Sequence, residues 1–424
     1  MLDTYLFKIK KHIPSWLFSW AAPTYHYLMA LCGALFYRFP SRKITVVAVT
    51  GTKGKSSVTE ILNSILIEAG YKTALTNTIR FKVGDMSEDN LYKMSMPGRF
   101  FMQRFIRRAV KAHCRYAIIE MTSQGAEMYR HRFIDIDTLI VTNIMPEHIE
   151  AHGSYENYLE AKLKIARAVA KSPKDRNTII VNKEDTESVK FLTVGPVEKY
   201  EYSIDQAKPF AVGKQGISFV YENLEIHSPL SGEFNIYNSL AAMTYAKTQG
   251  VSVDVMKNAL EKFSGIRGRV EHIEEGQDFS VIVDYAHTPD SLQKLYDVFQ
   301  NTRRICVLGN TGGGRDKWKR DEMAYIAERS CDEIILTNED PYDDDPMEII
   351  TDMAKVIKEK EPRIILDRRE AIACAISIAK TGDSVLITGK GTDPYIMGPN
   401  NTKIPWNDAL VAREELIKIS KNRP

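Results

Sequence analysis

Eight short β-branched runs recur along this chain, and nearly every one ends in a polar or glycine-rich cluster. They are "ITVVAV" (44–49), "YAIIE" (116–120), "TLIVT" (138–142), "TIIVN" (178–182), "SVIVDY" (280–285), "RICVLG" (304–309), "EIILT" (333–337) and "SVLIT" (384–388). Helical periodicity follows them, which is the pattern of a parallel sheet with crossover helices. Ligands of such sheets sit off the carboxyl ends of the strands, so those clusters are where a site is expected.

The 424 residues leave room for two or three domains. Residues 195–231 read as short strands and turns, an antiparallel excursion, and "GEFNIYNSLAAMTYAKTQG" reads as a helix closed by Gly250. A boundary is expected near "FSGIRGRVE" (263–271). The expected plan is a short apolar segment (1–43), a central α/β domain (44–265) and a C-terminal α/β domain (266–424).

With 57 Lys and Arg against 55 Asp and Glu, the net charge is +2, which gives no bulk electrostatic case for nucleic acid. The five cysteines form neither a CxxC pair nor a disulfide-like framework, so a reducing cytosol is the expected compartment. No Lys, Arg, Asp or Glu occurs between Lys11 and Arg38. Pro14, Pro23 and His26 interrupt that stretch and basic residues flank it, which favours a docked or interfacial segment over a membrane span or a buried helix pair. Peripheral membrane contact through residues 12–40 is therefore one reading.

"VAVTGTKGKSSVTE" (47–60) supplies the strand, glycine-rich loop and helix start of a phosphate-binding loop. Gly51 and Gly54 let the backbone approach, Lys55 is placed to meet phosphates and Ser56 to reach a metal. The common pattern has a glycine where this chain has Val49, so the loop is a shorter GTxGKS variant. Two more strand ends offer metal ligands, Glu120 in "IIEMTS" and Glu147 with His148 in "VTNIMPEHIEAHG". In "SYENYLEAKLKIARAVA", Lys162 falls within an apolar stripe of Tyr155, Tyr158, Leu159, Ile165, Ala166 and Val169. Periodicity alone favours a packed stem with a snorkelling ammonium, over a desolvated amine that is chemically used.

Taken in order, "GTKGKSS" (51–57), "MPGRF" (96–100), "EMTS" (120–123), "TNIMPEH" (142–148), "YLEAK" (158–162), "GEFNIYN" (232–238), "GRVE" (268–271), "DYAHTPDSL" (284–292), "GNTGGGRDKWKR" (309–320), "NEDPYDDDP" (338–346) and "GKGTDPY" (389–395) resemble the Mur ligases. These are ATP-dependent amide-bond-forming enzymes of peptidoglycan precursor synthesis, and the chain is most similar to those that add the third residue of the stem peptide.

The resemblance implies a central P-loop ATPase-like parallel sheet followed by a Rossmann-like α/β domain. It implies that Gly51, Thr52, Gly54, Lys55, Ser56 and Ser57 hold ATP, with Asn238, Arg269, Asp284 and His287 as nucleotide contacts. Asp316, Lys319 and Arg320 would meet ATP when the C-terminal domain closes. Ser56, Glu120, His148 and a carbamylated Lys162 would hold two Mg²⁺ ions, with Lys55, Lys162 and His148 catalytic. Ser123, Arg99, Asn338, Asp340, Tyr342 and Asp393 would face the acceptor, a UDP-muramoyl-peptide or a relative of it, and the amino acid. The expected location is the cytoplasm.

Three departures shape what is expected. About 43 residues precede the first strand, too few for the family's uridine-gripping domain, so the acceptor is held differently or is not the standard one. A lipid-linked acceptor would give the apolar segment a purpose. Tyr342 follows Pro341 where diaminopimelate-selecting members carry arginine, and Thr392-Asp393 stand in place of His-Glu. Losing that arginine removes a bidentate carboxylate clamp, and the acidic residues left in "NEDPYDDDP" favour lysine or ornithine over diaminopimelate. The alternatives are a folylpolyglutamate- or cyanophycin-synthetase-like ligase, and a non-catalytic nucleotide-binding module.

Overall fold

The computed structural model describes residues 15–147, 152–213, 216–314 and 317–422. The chain forms two compact units, one running up to Ser203 and including Ala241–Gln249, the other made of Ile204–Leu240 and the chain from Gly250 onward.

The first unit runs α1 (Ser15–Phe36), β1 (Thr45–Thr50), α2 (Lys55–Glu68), β2 (Thr73–Thr76), β3 (Arg80–Val83), β4 (Met86–Asp89), α3 (Arg99–Lys111), β5 (Tyr116–Glu120), α4 (Ser123–Glu127), β6 (Thr138–Val141), α5 (Tyr155–Ala170), β7 (Thr178–Asn182), α6 (Ser188–Leu192) and β8 (Glu198–Tyr202). Its sheet has the order β4-β3-β2-β5-β1-β6-β7-β8. β1 lies between β5 and β6, parallel to both, with Val49 opposite Glu120 and Thr50 opposite Val141. That register brings the loop after β1 beside the ends of two strands remote in sequence. Both faces of β1 are buried, as expected of a central parallel strand.

In the second unit, β9 (Phe210–Gly213), β10 (Gly216–Tyr221) and β11 (Leu224–Ser228) form a small antiparallel sheet. Helix α7 (Phe234–Thr248) follows, its residues from Ala241 onward belonging to the first unit, and is ended by Gly250 at φ +77°. Then come α8 (Val253–Glu261), β12 (Glu271–His272), β13 (Ser280–Asp284), α9 (Pro289–Val298), β14 (Arg304–Leu308), α10 (Trp318–Ser330), β15 (Glu333–Leu336), α11 (Pro346–Val356), β16 (Arg363–Ile364), α12 (Arg368–Ser377), β17 (Ser384–Thr388), the hairpin β18 (Tyr395–Met397) and β19 (Lys403–Pro405), and α13 (Asp408–Asn422). The larger sheet is ordered β12-β13-β17-β14-β15-β16. Alternate residues feed two apolar layers, with Ile282, Cys306, Leu308 and Leu386 in one and Val281, Val283, Ile305, Val307, Val385 and Ile387 in the other. A buried ion pair ties α12 to α13: Nε and Nη2 of Arg368 donate to the two carboxylate oxygens of Asp408, at 2.8 and 2.7 Å.

All eight strands expected from the sequence are present. Two readings need correction. "EKYEY" is not part of the antiparallel excursion but pairs parallel with β7 as the sheet's last strand; its residues up to Glu201 are exposed, and an exposed edge carries no apolar run to mark it. The cysteines are not all unpaired, for Cys306 on β14 and Cys331 at the end of α10 form a disulfide. The two lie 25 residues apart, and only the return of α10 to the sheet brings them together.

Among the described residues, the apolar N-terminal stretch forms one helix, α1. Its inner side packs on α3 and on the segment after α4, with the Tyr27 ring 5.2 Å from that of Phe133. Tyr25, Leu28, Leu35 and Phe36 remain exposed. Among the described residues no helix is long and apolar enough to cross a membrane.

Candidate active site

The loop between β1 and α2 is clamped before any ligand arrives. Gly51 has φ +148°, and a Cβ there would lie 1.9 Å from Thr142 Oγ1, so only glycine fits. Thr52 N–H donates to the Asn143 carbonyl at 2.7 Å, Lys53 N–H to Asn143 Oδ1 at 2.9 Å, and Thr142 Oγ1 donates to the Lys53 carbonyl at 2.6 Å. Thr52 Oγ1 and the Tyr158 hydroxyl are 2.7 Å apart. Gly54 caps α2 at φ +81°, which aims the helix N-terminus and its N–H groups into the loop. Lys55 Nζ donates back to the Gly51 and Thr52 carbonyls, at 3.1 and 2.8 Å. Ser57 is buried in the first turn of α2.

Ser56 Oγ donates to Glu120 Oε2 at 2.7 Å. Glu120 also accepts from Thr78 N–H, Thr78 Oγ1 and Ser95 Oγ, and is only 2% exposed. Thr78 and Ser95 were not anticipated, since nothing in a lone hydroxyl marks the carboxylate it will orient. A hydroxyl and a carboxylate together at the mouth of a phosphate loop suit a hard divalent cation, which takes few protein oxygens and fills its shell with phosphate and water. Among the described residues there is no larger cluster of His, Cys, Asp and Glu. Glu147 pairs with Lys53 at 2.8 Å, and His148 lies outside the described residues.

Lys162 does not snorkel. Its Nζ donates to the Gly51 carbonyl at 2.6 Å and lies 4.7 Å from the centre of the Tyr158 ring. Burial, reinforced by the charge of Lys55, pushes its amine well below the ordinary lysine range. The neutral form of a primary amine is nucleophilic, and burial favours that form at Lys162. Nearby, His152 Nε2 and Ser123 Oγ are 3.0 Å apart, and burial lowers the imidazole's pKa. The signal for His152 was the second histidine of "EHIEAHG". Arg99, at the start of α3, donates through Nε to the Met128 carbonyl.

In the second unit the carboxyl ends of β14, β15 and β17 converge. Lys390, fully buried, donates to Asp340 Oδ1 at 2.7 Å and to Asp393 at 3.4 Å, and Asp340 also accepts from Met397 N–H. Glu339 stands beside them, 3% exposed. Its Oε1 accepts from Thr311, while its Oε2 is buried with no hydrogen-bond partner. Burial, with the charge of Asp340 added, raises the Glu339 carboxyl. Tyr342 takes φ +52° and donates its N–H to the Met397 carbonyl, while the Asn338 carbonyl accepts from Arg368.

Asp284 accepts from Val270 and Ala286 N–H, both at 2.7 Å, Arg269 covers the Tyr285 ring at 4.3 Å, and His287 Nδ1 lies 2.7 Å from the Tyr285 carbonyl. Asn238 donates to Asn235. Arg320 is buried against Asp344 and Asp352, Lys319 lies over Trp318, and Asp316 is outside the described residues.

Two family models match the chain: the Mur ligase middle domain over residues 49–246, and the Mur ligase glutamate ligase domain over residues 268–391. The UDP-N-acetylmuramoyl-L-alanyl-D-glutamate–2,6-diaminopimelate ligase of Syntrophomonas wolfei is 35% identical over 404 residues, covering 92% of this chain and 81% of that protein. The UDP-N-acetylmuramyl-tripeptide synthetase of a Roseiflexus species is 34% identical, covering 94% and 83%. A solved structure of a diaminopimelate ligase superposes with a TM-score of 0.62 at 26% identity, over 90% of this chain and 79% of that one. Folylpolyglutamate synthase of Mycobacterium tuberculosis, complexed with ADP, superposes with a TM-score of 0.68 at 15% identity over 94% of each chain, a likeness of fold.

Proposed function

The chain belongs to the Mur ligase family, and from that premise we propose that this ATP-dependent ligase joins a diamino acid to a UDP-N-acetylmuramoyl-peptide or a related acceptor in the cytoplasm. The observation that carries the reading is Lys162, a buried lysine with its amine 2.6 Å from the carbonyl of the phosphate loop's first glycine. A nucleotide-binding module without catalysis has no use for such a group. We retain 44–265 and 266–424 as functional domains, supported by family matches that stop at 246 and resume at 268.

The reaction follows from the parts. A carboxylate oxygen of the acceptor attacks the γ-phosphorus of ATP, ADP leaves, and an acyl phosphate results. The amine of the incoming amino acid attacks the acyl carbon, the bond from carbon to the phosphate oxygen breaks, phosphate departs and the nitrogen loses a proton. Lys55 and the N–H groups at the start of α2 face the charge that develops on the transferred group. Mg²⁺, held by Ser56 and Glu120, would supply further charge neutralisation. The neutral Lys162 amine adds to CO₂, losing one proton, to give a carbamate; its carboxylate, with His148, would hold a second ion.

Asp340 and Asp393 already answer Lys390, so Glu339, with one carboxylate oxygen lacking a partner, is the group we assign to the distal amine of the amino acid. With Tyr342 in place of the arginine clamp, lysine or ornithine is ranked above diaminopimelate. Phosphate release from Mg-ATP with UDP-muramoyl-Ala-Glu, compared across lysine, ornithine, diaminopimelate and no amino acid, tests this. Release that depends on one amine identifies the substrate, and a clear preference for diaminopimelate refutes the ranking. Peripheral membrane contact through residues 12–40 is supported by the exposed Tyr25, Leu28, Leu35 and Phe36; it is refuted if deleting residues 1–40 leaves vesicle partitioning unchanged.

A further inference from the structure

Helix α1 turns its side chains the opposite way from a helix that faces water. Its small residues Ala30, Gly33 and Ala34 are buried, and the fit against α3 is so close that a Cβ on Gly33 would touch the Phe100 Cα at 3.5 Å. Tyr25, Leu28, Cys32, Leu35 and Phe36 are exposed, Phe36 to 73%. Their spacing places them in one stripe along the helix, and no charged residue interrupts it. The stripe is held in place. The Tyr27 ring meets those of Phe133 and Tyr129 at 5.2 and 6.4 Å. Beyond the end of α1, Ser41 is buried, its hydroxyl accepting from Asp135 N–H at 3.0 Å and its carbonyl from Lys174 at 2.8 Å.

The stripe continues into a basic row. The Phe36 ring lies 6.4 Å from that of Phe100, itself exposed. Phe100 opens a face of α3 that runs on through Arg104, Arg107, Arg108 and Lys111, at helical spacing. Glu88 answers Arg108 at 3.3 Å, while among the described residues no carboxylate pairs with Arg104, Arg107 or Lys111. Arg38, Arg42 and Lys43 follow α1, and of these Arg42 pairs with Asp135 at 3.3 Å. Neither α1, α3 nor residues 37–43 contain an Asp or Glu, although the chain as a whole carries a net charge of only +2. The positive charge is therefore concentrated beside the apolar stripe.

We propose that this face docks on an anionic phospholipid bilayer. Helix α1 lies in the plane of the surface with its outward stripe at the boundary between headgroups and acyl chains, and the basic row of α3 meets acidic headgroups. Apolar insertion and charge attraction add at such an interface, each Lys or Arg near the surface strengthening binding about fivefold. A second copy of the chain would cover the stripe, but meeting through the same face would set one basic row against another. An acidic lipid surface answers both the stripe and the row.

The inference rests on the peripheral-contact reading and adds the lipid class and the residues of α3 that select it; the test separates the two. The full chain is mixed with vesicles of phosphatidylcholine, with and without phosphatidylglycerol, and partitioning is measured by flotation at low and high salt. Binding about tenfold tighter to the anionic vesicles, and weakened by salt, is expected. Arg104→Gln combined with Lys111→Gln should weaken anionic-vesicle binding by about tenfold or more, while phosphate release without vesicles stays that of the parent. Arg104→Lys with Lys111→Arg should bind as the parent does. Leu28→Ser with Leu35→Ser should weaken binding to both kinds of vesicle. Cys32 is a free, exposed thiol, and an environment-sensitive fluorophore attached there, in a Cys374→Ser background, should brighten on anionic vesicles. Equal binding to neutral and anionic vesicles, or unchanged affinity in the Arg104→Gln, Lys111→Gln variant, overturns the proposal and leaves membrane contact standing. Partitioning onto neither vesicle, or a Cys32 probe already shielded by dimer formation in solution, fails both.

Discussion

Ser56 and Glu120 stand 2.7 Å apart, hydroxyl to carboxylate, although 64 residues separate them. The parallel register of β1 and β5 sets Val49 opposite Glu120 and so delivers the carboxylate to the loop that carries Ser56. Glu120→Gln preserves the shape but removes the charge that a divalent cation needs. Turnover should fall roughly a hundredfold, with a steeper dependence on Mg²⁺ concentration, while ADP binding measured without metal stays unchanged.

Lys162→Met should abolish turnover, and the parent enzyme should lose activity in CO₂-free buffer and regain it with bicarbonate. A stability effect should accompany this. Lys162 in the folded chain has a pKa depressed below its unfolded value of 10.5, so between those two values the unfolded chain binds one more proton. Stability therefore falls as pH drops below 10.5, with a limiting slope of about 1.4 kcal/mol per pH unit. In CO₂-free buffer Lys162→Met should flatten that slope and be at least as stable as the parent near neutrality, which denaturant midpoints across pH will show.

Gly51→Ala places a methyl group 1.9 Å from Thr142 Oγ1 in a backbone conformation that alanine resists. A loss of about 1–3 kcal/mol is expected, read as a lower thermal midpoint. Because Lys55 and Lys162 both donate to the Gly51 carbonyl, nucleotide affinity should fall with it.

Tyr342→Arg restores a cationic partner for a distal carboxylate, and should raise kcat/KM for diaminopimelate relative to lysine by more than tenfold. Glu339→Gln should lower kcat/KM for lysine while leaving ATP affinity intact. The pair of variants, assayed on the same amino-acid panel, separates what each residue selects.

The Arg368–Asp408 pair is fully buried. Removing one partner strands the other, so Arg368→Met should cost about 3–5 kcal/mol in chemical denaturation. Adding Asp408→Leu to that variant should return much of the loss.

The β-branched runs made the central strands legible, because a strand buried on both faces must be apolar throughout. The hairpin of β3 and β4 was not, since "MSED" is fully exposed and carries no pattern. The phosphate loop was legible from local spacing. Lys162 was visible as an anomaly, but its burial depends on the loop that closes over it, and periodicity favoured a snorkelling ammonium that this burial excludes. Asp340 and Glu339 could not be told apart in sequence: they are adjacent acids, and only the position of Lys390 shows which is already satisfied.

The most direct test of the acyl-phosphate ligase is isotopic. The acceptor carboxylate is labelled with ¹⁸O and the phosphate released during amide formation is analysed by mass spectrometry. One labelled oxygen in each phosphate is expected, because the carboxylate oxygen leaves with the phosphoryl group. Amide product formed with unlabelled phosphate would contradict it.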